Sequence, residues 1–171
     1  MKILRTILQI CGMLFLAAVV AAVGMYFYAS HASTEKVNQA TENQARFVLN
    51  WGGLNAKQNY SVVFSHESRN GFLPDHLIYY CLQLSEFSID EHHREEWKAG
   101  PETNPVFSQA IETAANSVNG KECFTQHGKA NSKEVQAFFW SVRTNGRFPS
   151  GAQVLLYEPS SRRLLYVDYE T

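Results

Sequence analysis

The chain has 171 residues, which is room for one domain and an appendage. Apolar residues make up 45%, aromatic residues 13% and charged residues 18%, a balance that excludes a disordered chain. The net charge of −1 supplies no overall basic field, so no nucleic-acid partner is expected.

The N-terminus carries the clearest pattern. Lys2 and Arg5 lie in residues 1–6, and from Ile7 to Tyr28 the chain has no charge and one strongly polar side chain, Gln9. A helix of that length spans about 33 Å, enough for a hydrocarbon core of about 30 Å. The expectation is a cytoplasmic segment 1–6, a transmembrane helix 7–28 acting as an uncleaved signal anchor in the lipid bilayer, and an extracytoplasmic domain 29–171. Two alternatives stay open. A cleavable signal peptide has a shorter apolar run, and Ser30-His31-Ala32 offers a small-x-small site; its removal would give a secreted domain. A soluble protein could also bury the segment.

Lys2 and Arg5 precede the span, and the next basic residue is Lys36. The positive-inside rule then puts the N-terminus in the cytoplasm and the rest in the periplasm or outside the cell, anchored in the inner (plasma) membrane. The segment 29–171 holds 13 Lys/Arg and all 16 Asp/Glu, a net charge of −3 with no strong steering field.

Cys11 lies in the apolar run. Cys81 and Cys123 are the other cysteines, and in an oxidising compartment such a pair reads as a disulfide. It would close a loop of about 43 residues, for which chain entropy gives about 4 kcal/mol. The plain alternative is two buried thiols.

In chain order, residues 33–51 read as a helix with Val37, Ala40, Gln44, Phe47, Val48 and Trp51 near one face, Ser33 or Thr34 as N-cap, and Gly52-Gly53 as its end. Tyr60–His66 reads as a strand with Tyr60, Val62 and Phe64 on one face, and Arg69-Asn70-Gly71 as a turn. His76–Phe87 alternates Ile78, Tyr80, Leu82 and Leu84 against Leu77, Tyr79 and Cys81, so a central strand is expected. Ser88 to Glu91 matches a capping box for a short helix to Lys98, stopped by Gly100-Pro101. Asn104 caps a second helix with Pro105 at its first position, and Asn119-Gly120 ends it. Strands follow at Val135–Arg143, with Phe138, Trp140 and Val142 on one face, at Ala152–Glu158 and at Arg163–Tyr169. Pro159 to Arg162 forms a hairpin connection. The order predicts an α+β domain: an antiparallel sheet of about five strands with two to three helices packed on one side.

Candidate chemistry is sparse. His92, His93 and Glu96, within the run Asp90 to Glu96, offer ligands for a divalent metal, although acids at a helix start also suit its dipole. Cys81 with His66 or His76 would make a thiol–imidazole dyad, against the reading of a core or bridged cysteine. Pro149-Ser150-Gly151 reads as a turn. Arg143, Arg147, Arg162 and Arg163 gather near the last strands as a rim for an anionic partner, or as edge charge that discourages aggregation. No phosphate-binding glycine loop occurs, and no cofactor is expected. The reading is a membrane-anchored binding or interaction module with a protein partner in the envelope, of the assembly-factor or immunity type. The alternative is an envelope hydrolase built on His92, His93 and nearby carboxylates, or on Cys81.

Overall fold

The computed structural model describes residues 2–31, 34–37, 41–55, 57–69, 75–118, 123–124 and 130–171. The helix α1 spans Lys2–His31, and its described side chains are those of residues 11–26. Among the described residues, no helix is long and apolar enough to cross a membrane. The remainder is α+β, built on one antiparallel sheet.

In chain order the elements are β1 Thr34–Val37, α2 Glu42–Trp51, β2 Tyr60–Arg69, β3 His76–Leu84, β4 Lys98–Ala99, α3 Pro105–Asn116, β5 Gln136–Asn145, β6 Phe148–Glu158 and β7 Arg163–Glu170. The sheet order is β1-β2-β3-β7-β6-β5-β4. The five long strands are those expected from the sequence. The two additions, β1 and β4, are short pieces at the edges, where a short strand limits further pairing.

The alternation in β3 decides the layers. Tyr79 and Cys81 face one core with Leu156, Leu165 and Val167, while Ile78, Tyr80, Leu82 and Leu84 face another with Leu155, Leu164 and Tyr166. Because both faces are apolar, both need a cover. The helix α3 buries Ala110, Ile111 and Ala114 on the first face, and α2 buries Ala45, Val48 and Leu49 on the second. Helices therefore lie on both sides of the sheet, not on one.

The helix expected over residues 33–51 starts only at Glu42. Thr41 and Gln44 form a reciprocal capping box, which fixes the start, and Thr34–Val37 pairs with β2 instead. The helix expected from Ser88 shrinks to a 3₁₀ turn, Glu91–His93, capped by Asp90. The segment around it is fastened to the end of α2. The Asp90 amide donates to Gly53 O at 2.8 Å, and the Trp97 indole donates to Gly52 O at 2.8 Å.

Two bulges break the expected faces. In β2, Val63 is the extra residue, so Tyr60 packs on the α2 side and Phe64 on the α3 side. In β5, Trp140 is the extra residue, so Phe138 and Val142 face opposite layers. Pro149-Ser150-Gly151 lies inside β6 rather than in a turn. The expected turn at Asn70-Gly71 and helix end at Asn119-Gly120 fall outside the described residues.

Cys81 and Cys123 are joined, with Cα atoms 5.7 Å apart, and both are buried. The bond ties the middle of β3 to the chain beyond α3. Reducing it should lower stability by about 2–5 kcal/mol in urea unfolding with and without dithiothreitol. Thiol labelling of the oxidised, denatured chain should find neither cysteine free.

Candidate functional site

On the α2 side of the sheet, side chains line up in rows across the strands. One row pairs Phe138 with Leu155, Leu155 with Tyr166, and Tyr166 with Tyr80. The next pairs Ser141 with Gln153 and Gln153 with Asp168. The last pairs Arg143 with Gly151, Gly151 with Glu170, and Glu170 with His76. Within one step along the strands the face thus changes from aromatic to polar, except at Ile78, which lies opposite Asp168 and stays in the core.

The polar side chains are linked. Ser141 Oγ donates to Gln153 Oε1 at 3.1 Å, and Gln153 Nε2 donates to Asp168 Oδ2 at 3.1 Å. His76 Nε2 lies 2.9 Å from Asp168 Oδ1, and its Nδ1 lies 3.7 Å from Glu170. Arg143 Nη1 pairs with Glu170 Oε2 at 3.0 Å, which brings the chain back to β5. Asp168 is only 8% exposed, so its carboxylate needs these partners. Gly151 makes the last link possible: a Cβ there would meet Tyr169 O at 2.8 Å and Arg143 Nε at 3.2 Å.

Beside this network stands a ladder of rings. Phe47 and Trp51 of α2 have centroids 4.6 Å apart, and Trp51 stacks on Trp140 of β5 at 4.8 Å with planes 9° apart. The β5 bulge places Trp140 next to Ser141 on the same face. Phe47 and Trp140 are each 53% exposed, so both ends of the ladder meet solvent. Tyr166 joins it edge-on to Trp51 and stacks on Tyr80.

The residues singled out from the sequence do not converge. His92 is exposed, and His93 packs against Gly53, whose added Cβ would meet His93 Cβ and Cγ at 2.5 Å. Among the described residues, no group of three or more His, Cys, Asp or Glu is placed to hold a metal ion, and His92, His93 and Glu96 form none. Cys81 is bridged and so presents no thiolate, which removes the dyad with His66 or His76. The four arginines divide between opposite ends of β6. Arg143 lies opposite Gly151 and Arg147 sits in the β5–β6 turn, while Arg162 and Arg163 lie at the β6–β7 hairpin next to Glu158. Seven residues of strand, about 23 Å, separate those ends. Arg163 donates to Cys123 O at 3.0 Å and Arg162 to Ser85 O at 3.4 Å, so both serve local structure.

Of the network, the sequence singles out Arg143, as part of a rim for an anionic partner, and His76, as a partner for Cys81, and neither in the place it takes here. A signal for the others exists: Gln153 and Asp168 occupy positions of β6 and β7 whose neighbours on that face, Leu155 and Tyr166, are core residues. Chemically, the network is a crosslink among four strands. Both ring nitrogens of His76 face carboxylates, Asp168 at Nε2 and Glu170 at Nδ1. The ladder is the part open to solvent.

Comparison with family models, with curated protein sequences and with solved structures gives no significant match to this chain.

Gly151→Ala should cost about 1–3 kcal/mol, because the methyl group meets a backbone oxygen that cannot swing away. The same variant should free Arg143 from Glu170, visible as a shift of its guanidinium resonances. Alkaline pH gives a second check. Burial holds the Tyr166 phenol well above its ordinary value, with Asp168 and Tyr80 adding to the rise. Burial likewise raises Tyr157 and Tyr169. The folded chain then keeps protons that the unfolded chain releases above about pH 10, so stability is intact below that pH and falls as pH rises beyond it. Urea unfolding across that range should show the fall, and tyrosinate absorbance should lag until unfolding.

Proposed function

We propose that this chain is a single-pass protein of the inner (plasma) membrane, with residues 1–6 in the cytoplasm, 7–28 in the bilayer and 29–171 outside. In this reading the outer domain is an interaction module for a protein of the envelope, of the assembly-factor or immunity type. It needs no cofactor.

The observation that carries the interaction reading is the ladder of Phe47, Trp51 and Trp140, open to solvent at both ends. Tryptophan and other aromatics dominate the energetic centres of protein interfaces, because they bury much area at little entropy cost. Two further features support the setting. A buried disulfide fits an oxidising compartment. Along α1, Met13, Leu14, Phe15, Leu16, Val20 and Met25 are all exposed, as suits a helix surrounded by lipid.

The test is a photo-crosslinking residue at position 140, with position 112 on the exposed side of α3 as control. The expected result is one adduct with a different protein from position 140 and none from position 112. Trp51→Ala should lower its yield roughly tenfold, as for an interfacial hot spot. Equal adducts from both positions, or a dimer of this chain alone, would overturn the interaction reading. A reporter enzyme fused after Thr171 should be active only outside the membrane, and cytoplasmic activity would overturn the orientation.

A further inference from the structure

A recess lies at the end of the sheet beside the last turn of α3. It is a cleft of about 540 Å³ at the end where β3 begins and β7 finishes, within the range of small-ligand sites. The last turn of α3 supplies Thr113 and Asn116, β7 supplies Tyr169 and Glu170, and Asp75 precedes β3 at the rim. Three properties narrow what it can hold.

The first is charge. Asp75, Glu170 and His76 line the cleft, the His76 ring is taken up by Asp168 and Glu170, and no Lys or Arg is among the described lining residues. Glu170 is occupied by Arg143 on the α2 side of the sheet, whereas Asp75 makes no ion pair with a described residue. The carbonyl end of α3 adds to the negative potential. Phosphates and carboxylates are therefore disfavoured, and a cation is favoured.

The second is an unmet polar group. Tyr169 is 3% exposed, its side chain points to the α3 side where the cleft opens, and its hydroxyl has no hydrogen-bond partner of good geometry. Thr113 lies close enough to ease the phenol's raised titration but does not complete the bond. An orphan hydroxyl at this depth lowers stability unless something else satisfies it.

The third is size. The volume is many times that of a bare ion, and no metal-binding group of three ligands is found among the described residues. An ammonium group on a small carbon frame fits better: it has three donors and no acceptor.

We propose that this cleft binds a small organic cation through a primary ammonium group, with Asp75 as its counter-ion and the Thr113 and Tyr169 hydroxyls as acceptors. The assignment does not depend on the anchor or on the aromatic ladder, which lies on the α2 side of the sheet.

The test is a titration of the isotope-labelled full chain, in detergent micelles, with putrescine. Saturable amide shifts are expected at Leu77, Thr113, Asn116 and Thr171, with none from glucose or from sodium chloride at matched ionic strength. Asp75→Asn should weaken the affinity roughly tenfold, a loss of about 1.4 kcal/mol. Tyr169→Phe should weaken binding while leaving the unfolding midpoint unchanged or raised, which a merely structural hydroxyl would not do. Thr113→Val provides the same readout if the tyrosine variant folds poorly. Absence of saturable shifts, equal shifts with glucose or salt, or an unchanged affinity in Asp75→Asn would overturn the proposal.

Discussion

Three neighbouring strands, β3, β7 and β6, carry apolar side chains on both faces, and the rest of the domain answers that constraint. A sheet with one wet face needs one cover; this one needs two. The helix α3 supplies the first with small residues, Ala110 and Ala114, flanking Ile111, which lets its backbone approach the strands. The second comes from α2, only ten residues long, aided by Leu54 and Trp97. Ten residues make a marginal helix in isolation, so tertiary packing and the Thr41–Gln44 box hold it in place.

The polar network marks where the second cover stops. Past Tyr166 the side chains on this face turn to Gln153, Asp168, Glu170 and His76, with Ile78 opposite Asp168 still in the α2-side core. Each polar group is given a partner on a neighbouring strand, so the transition occurs without stranding a charge. At the other end of β6, Glu158 is almost fully buried and accepts a short hydrogen bond from Ser161 in the hairpin. Polar groups thus close both ends of an apolar sheet, while the Phe47, Trp51 and Trp140 rings bridge the seam between helix and strand.

Most of this fold is legible in the sequence because alternation is a local property. The faces of β3 and of the last two strands follow directly from period two, and Asn104-Pro105 marks the start of α3 without ambiguity. What escapes is what depends on a partner strand. A bulge at Val63 or Trp140 shifts register against a neighbour, and nothing in YSVVF or AFFWSV says which residue is the extra one. The capping box at Thr41 was present in the sequence but hidden inside a longer helical pattern. The site was far less legible. Runs such as Asp90 to Glu96 draw attention by density, whereas His76, Gln153 and Asp168 come from three separate strands and meet only through sheet order.

That order has a consequence for assembly. The strand at the centre, β7, comes after every other strand in the chain, yet both β3 and β6 need it as a neighbour. Until it arrives, β3 presents an unpaired edge between two apolar faces, the kind of surface that recruits foreign strands. The β2–β3 and β5–β6 hairpins can each form early, but they stay two halves of a sheet with a gap one strand wide. Closing the gap requires pairing across 88 residues of chain, from Tyr79 to Val167, a topology that folds slowly. The Cys81–Cys123 bond shortens that search, because it anchors the connecting chain to β3 before the final strand inserts.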